Sequence, residues 1–203
     1  MNATMDSSTP CCARRRWAWL ERFRSVALAG LSAILIAANA FASDGIEVLS
    51  ATIVPREETY QLDAEFDVLF SPRLEEAVNR GVALYFVVDF ELARPRWYWF
   101  DEKPVKISQT YRISYAPLLR QYRLSIGSVY QNFTRFEDVK RVLSRVRGLP
   151  VAERGALVPG TEYQALLRMR LDTNQLPKPF QLNALASSEW TLSSNWYRWN
   201  FVP

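Results

Sequence analysis

The sequence predicts an all-β to α+β domain: an antiparallel β-sandwich, with an immunoglobulin-like arrangement among its forms, carrying two short helices. Three observations predict it. Period-two alternation of apolar and polar residues dominates residues 43–203. Two capped stretches of helical pattern interrupt that alternation. The gap at Ala116 to Arg120 is hairpin-sized, whereas a doubly wound sheet needs a crossover helix after nearly every strand.

The elements follow in order. Ile46 to Val54 reads as a first strand, ended by Pro55. In Tyr60 to Phe70, Leu62, Ala64, Phe66, Val68 and Phe70 share one face, while Asp63, Glu65 and Asp67 share the other. That is a half-buried strand with an acidic outer face. Ser71 to Gly81 has an N-cap serine, Pro72 at the first helical position and a glycine past the end, so it reads as a short helix. Val82 to Leu92 is nearly continuous in apolar residues and reads as a central strand covered on both faces. Val105 to Tyr115, Tyr122 to Ile126 and Tyr163 to Leu171 alternate again, and Phe180 to Ala184 and Glu189 to Ser193 are shorter versions. Thr134 to Glu137 has the form of a capping box. The apolar stripe of Phe136, Val139, Val142, Leu143 and Val146 then predicts a second helix, closed by Gly148.

The first 42 residues have the layout of an export signal. Arginines 14, 15, 16, 22 and 24 precede a charge-free stretch, Val26 to Ala38, and Ala40-Phe41-Ala42 forms a small-x-small cleavage site. Cleavage after Ala42 leaves a single domain, 43–203, in the periplasm or outside the cell. The rival reading keeps residues 26–42 as an inner-membrane anchor with the domain facing the periplasm, and only in that reading does the chain contact the membrane. The leader holds a local charge of +3 out of the chain's +4, together with both cysteines, Cys11 and Cys12. Residues 43–203 therefore carry a net charge of +1 and contain neither Cys nor His. This excludes disulfides, thiolate or imidazole metal sites and His- or Cys-based catalysis. It also removes the case for nucleic-acid binding. No cofactor or metal is expected, and no carboxylate-rich calcium loop is evident.

What remains distinctive is aromatic. The mature tryptophans fall in two groups, Trp97 and Trp99 within Trp97-Tyr98-Trp99-Phe100, and Trp190, Trp196 and Trp199 near the C-terminus. Neighbours on a strand face opposite sides, so four consecutive aromatics cannot all enter one core. Trp97, Tyr98, Trp99, Phe100, Trp196 and Trp199 are the candidates for contact with a protein partner or for stacking on a sugar or small ligand. Core burial is the competing and commoner fate of such residues. Alternation in Trp196 to Phe201 places Trp196 and Arg198 on the face opposite Tyr197 and Trp199. A hydrolase would need paired carboxylates such as Asp89 and Glu91, or Asp101 and Glu102, but acidic alternation on a strand is more often a solvated face. The second helix presents Lys140, Arg141 and Arg145, again with solvated charge as the plainer reading.

The acidic strand closing on Phe70-Ser71-Pro72, the apolar run into Trp97-Tyr98-Trp99-Phe100-Asp101 and the Trp-rich C-terminus give the chain a likeness. It resembles the proteobacterial family called domain of unknown function 4390. The resemblance implies an exported protein of Gram-negative bacteria, with a gene often beside those of a membrane sensor kinase and its regulator. It implies no catalytic residue. The expectation is a non-enzymatic exported domain that binds an envelope protein, such as a sensor-kinase ectodomain, with a carbohydrate- or small-ligand-binding module as the alternative.

Overall fold

The computed structural model describes residues 45–94, 102–181 and 190–203. Within them lie nine strands and two α-helices: β1 (Ile46–Pro55), β2 (Thr59–Val68), α1 (Pro72–Asn79), β3 (Leu84–Arg94), β4 (Glu102–Ala116), β5 (Gln121–Ile126), β6 (Val129–Phe133), α2 (Phe136–Leu143), β7 (Arg145–Glu153), β8 (Tyr163–Leu171) and β9 (Tyr197–Phe201). They form two antiparallel sheets, one ordered β1-β2-β7 and one ordered β6-β5-β4-β3-β8-β9. The expected α+β sandwich is what the chain adopts. Its six-and-three division departs from the four-and-three division of immunoglobulin constant domains. The helices sit on two of the three links that carry the chain between the sheets, α1 from β2 to β3 and α2 from β6 to β7.

Alternation decides which side chains enter the core. Leu62, Ala64, Phe66 and Val68 of β2 are buried, while Asp67 between them is exposed. On β8, Tyr163, Ala165, Leu167, Met169 and Leu171 are buried at every second position. Leu84, Phe86, Val88, Phe90 and Leu92 of β3 meet them in one continuous core between the sheets. Each fully buried side chain of this size contributes roughly 1.5–3 kcal/mol relative to exposure. From Leu84 to Ala93 only Tyr85 is incompletely buried, as the near-continuous apolar run predicted for a central strand.

α1 follows its sequence signals. Ser71 Oγ accepts from the Leu74 amide at 3.4 Å, Pro72 occupies the first helical position, and Gly81 takes the left-handed conformation (φ +90°) beyond the last turn. α2 does not. The capping box read at Thr134 is displaced: Arg135 is the N-cap, with no side-chain bond to the helix. Tertiary packing sets the phase instead, because Phe136 must enter the core beside Phe70 and Tyr122, at ring-centroid distances of 5.2 and 5.3 Å. The helix also ends at Leu143, not near Gly148. Val146, read as part of the helical stripe, is a buried residue of β7, where backbone pairing with β2 prevails over helical propensity. Gly148, with φ +65°, lies in that strand at an irregularity of its pairing.

Two further expectations are corrected. Phe180 lies in a helical turn rather than a strand, its amide donating to the Pro177 carbonyl at 2.9 Å. Pro177 and Pro179 have no amide for a ladder, and Phe180 packs on the buried Trp190 instead, at 5.4 Å. Of the second short strand, Ser193 forms a single bridge to Arg170. Residues 182–189 lie outside the described residues, as do the leader and its cleavage residues, Ala40 and Ala42.

Candidate functional site

The face of the six-stranded sheet turned away from the core carries the most developed polar arrangement. Pairing registers place Asp89 of β3 between Ser108 of β4 and Arg168 of β8. Ser108 Oγ donates to Asp89 Oδ1 at 2.7 Å, while Arg168 Nη2 and Arg170 Nε donate to Oδ2 at 2.9 and 3.0 Å. Asp89 is only 8% exposed. Its burial pushes the carboxyl's pKa up, but the bonds from Ser108, Arg168 and Arg170 and the charge of Arg170 outweigh that, so the group is held below the ordinary carboxylate value. A carboxylate held ionised accepts hydrogen bonds and donates none.

Glu91 lies two residues along the same face, about 7 Å away by strand geometry. It is equally buried, at 7%, and Lys106 Nζ approaches it to 3.5 Å. The other face-mates are cations stacked on aromatic rings. The Arg168 guanidinium lies 4.4 Å from the Trp196 ring centre, Arg123 4.4 Å from that of Tyr130, and Arg112 5.8 Å from that of Tyr85. The Arg168 Nε–H is buried without an acceptor among the described residues, so Arg168 is held by its ion pair and by stacking.

The candidate residues from the sequence separate here. Trp196 faces outward beside Arg168, and its near ring face is covered by that guanidinium. Trp199 turns inward, as the alternation of Trp196 to Phe201 predicted, and packs on Phe90 at 6.2 Å and Tyr197 at 5.6 Å. The two are thus on opposite faces of one edge strand and do not form a common platform. Trp97, Tyr98, Trp99 and Phe100 lie outside the described residues, as does Asp101, and of Glu102 only the backbone pairing with Arg94 is described. Asp89 and Glu91 do share a face, as read. Their partners were not legible: Arg168 and Arg170 stand on a polar face in the sequence, but nothing there says that β8 pairs with β3.

The face as a whole is basic. Lys106, Arg112, Arg123, Arg168, Arg170 and Arg198 share it with the carboxylates Asp89 and Glu91, and Asp172 approaches Arg170 to 4.0 Å. The opposite surface, the outer face of the three-stranded sheet, carries Glu47, Asp63, Glu65 and Asp67 against Arg145 and Arg147; Arg147 pairs with Glu65, Arg145 stands opposite Glu65 in register, and Asp63 accepts from the Gly148 amide at 2.7 Å. A near-neutral domain is thus electrically polarised from one sheet to the other. At the β1–β2 turn, a shallow depression of about 890 Å³ is lined by Pro55, Arg56, Glu57, Glu58, Thr59, Gln61 and Arg154. It contains none of the candidate binding or catalytic residues read from the sequence. Among the described residues no group of three or more His, Cys, Asp or Glu side chains is placed to hold a metal ion, and no helix is long and apolar enough to cross a membrane.

Residues 43–200 match the family model described as Domain of unknown function (DUF4390). No curated protein and no solved structure matches the chain.

Proposed function

The chain belongs to the family described as Domain of unknown function (DUF4390), and from that premise we propose that residues 43–203 are a non-enzymatic binding domain of the bacterial envelope. In this reading the basic outer face of the six-stranded sheet receives an acidic surface of a partner protein, such as the ectodomain of a membrane sensor kinase. The observation that carries it is the arginine-rich, aromatic-backed sheet face. Arginines stacked on Tyr85, Tyr130 and Trp196 are pre-ordered, so binding costs less side-chain entropy. Arginine, tyrosine and tryptophan are also the residues enriched at protein interfaces.

Compartment rests on the leader: the family match begins at residue 43, directly after the small-x-small site. The sugar-stacking alternative needs a free indole face, and of the described candidates Trp199 is turned to Phe90 while Trp196 has one ring face covered by Arg168. The hydrolase alternative needs a carboxylic acid that holds its proton near neutrality, and Asp89, one of its four candidate carboxylates, is held in the opposite state.

Titration of the purified chain with an oligoglutamate peptide tests the reading. Arg112, Arg123 and Arg198 do not hold Asp89, so Arg112→Gln, Arg123→Gln and Arg198→Gln together leave that network in place. Their combined loss is expected to weaken binding on the order of tenfold, since exposed charge pairs contribute 0.2–1 kcal/mol each, and added salt is expected to do the same. Equal binding by the triple variant, or no binding by the native chain, overturns the proposal.

A further inference from the structure

The β4–β5 hairpin ends in Pro117-Leu118-Leu119-Arg120. The Leu119 amide donates to the Ala116 carbonyl at 3.1 Å and the Arg120 amide to the Pro117 carbonyl at 3.3 Å, which closes the tip tightly. Leu118 is 99% exposed and Leu119 61% exposed. A tight turn ordinarily shows polar residues and glycine to solvent. Here it holds two leucines clear of the domain, and Arg120 closes the turn in the left-handed region, at φ +51°, which costs a non-glycine residue about 1–2 kcal/mol.

Cations surround the tip. Arg120 belongs to it. Arg123 stands two residues up β5, held in place by a 3.1 Å bond from its Nε to Asn132 and by stacking on Tyr130. Neither arginine forms an ion pair with a described residue. On the core side, the end of α1 reaches the same hairpin, where the Tyr122 hydroxyl donates to Asn79. The carboxylates of α1 are already engaged, Glu76 by Arg80 and Glu75 by Lys140.

We propose that this tip inserts into the interfacial region of an anionic lipid bilayer, Leu118 and Leu119 entering among the acyl chains while Arg120 and Arg123 meet the phosphates. The shape favours a bilayer over a protein pocket: a convex two-leucine finger needs no complementary cavity to bury itself in lipid, and apolar residues flanked by snorkelling cations are how peripheral segments hold an interface. Charge complementarity selects anionic headgroups. The insertion is independent of whether the leader is cleaved. Because the tip lies at the end of the strands, it would stand the sheets upright on the membrane and turn the basic face sideways, toward the extramembrane part of a neighbouring membrane protein.

The test uses the full chain carrying Cys11→Ser and Cys12→Ser, with an environment-sensitive fluorophore on Leu118→Cys. The control places the same label on Ser128→Cys, in the turn at the other end of β5. With vesicles of phosphatidylglycerol and phosphatidylcholine, the label at 118 is expected to shift to the blue and to be quenched by lipid-borne quenchers, while the label at 128 stays in water. Zwitterionic vesicles, or Arg120→Gln with Arg123→Gln, are expected to reduce the shift. The proposal is overturned if the label at 118 stays in water, if both labels shift alike, or if the shift at 118 follows protein concentration without vesicles, which would mean contact with a second copy.

Discussion

Replacing Asp89 by Asn leaves the guanidinium groups of Arg168 and Arg170 facing a neutral amide at a largely buried position. Loss of one partner from such a network is expected to cost about 2–3 kcal/mol, less than for a fully buried pair because both arginines are about one-third exposed. A shift of the urea midpoint with unchanged slope measures it. The pH dependence has a definite sign. The folded carboxyl is held below its unfolded value, so its stabilisation is complete above the ordinary carboxylate range, near pH 4, and is lost as the pH falls through the lowered folded value. Asp89→Asn is expected to flatten that acid limb. Tyr111 gives the opposite case: burial raises its phenol from 10.0 to about 12. The unfolded chain then ionises first, and stability is expected to fall by roughly 2–3 kcal/mol between pH 10 and pH 12. Tyr111→Phe is expected to remove most of that alkaline slope in a pH series of thermal melts; an unchanged slope would assign it to other groups. Both residues could be read from the sequence as members of strands, Tyr111 on an apolar face and Asp89 within an apolar run. Their chemistry could not: that of Asp89 comes from neighbours 19 to 81 positions away, and that of Tyr111 from its depth of burial in the folded domain.

At the scale of the element, α1 and α2 show what local signals can and cannot decide. Ser71, Pro72 and Gly81 agree with where the chain has to turn, and the helix they predict is the helix that forms. Around α2 the local signal competes with packing. Phe136 and Val146 belong in the core on different elements, a helix and a strand, and a one-dimensional stripe joins them into one. The strand β6 was illegible for a related reason: all but the last of its five residues are exposed, so no apolar alternation marks it. The N-cap offers a direct check. Thr134→Ala is expected to leave stability within about 0.5 kcal/mol of the native chain, because Thr134 does not cap the helix. Arg135→Ser is expected to add about 0.5–1 kcal/mol by supplying the missing cap acceptor. The reverse ranking in urea unfolding would restore the capping box at Thr134.

For the whole molecule, alternation was enough to give the architecture, because a strand with one apolar face has few other ways to bury it. The division into six and three strands was not legible, since it depends on which edges pair. The basic face escaped notice for the same reason. Its cations lie on β4, β5, β8 and β9, separated by up to 92 residues between Lys106 and Arg198, and they cancel against the acidic sheet in any sum of charge. Polarisation of this kind steers a partner toward one side of the domain and is sensitive to salt. The most direct test of the binding account is site-specific photo-crosslinking in cells that make the protein. A photoreactive residue is placed at Thr110 or Asn200, on the outer face of the six-stranded sheet, or at Asp67, on the outer face of the three-stranded sheet. The account predicts that one and the same second protein is captured from Thr110 and Asn200, is not captured from Asp67, and is lost with Arg112→Gln and Arg198→Gln. Capture from Asp67 alone, or capture that persists without those arginines, would contradict it.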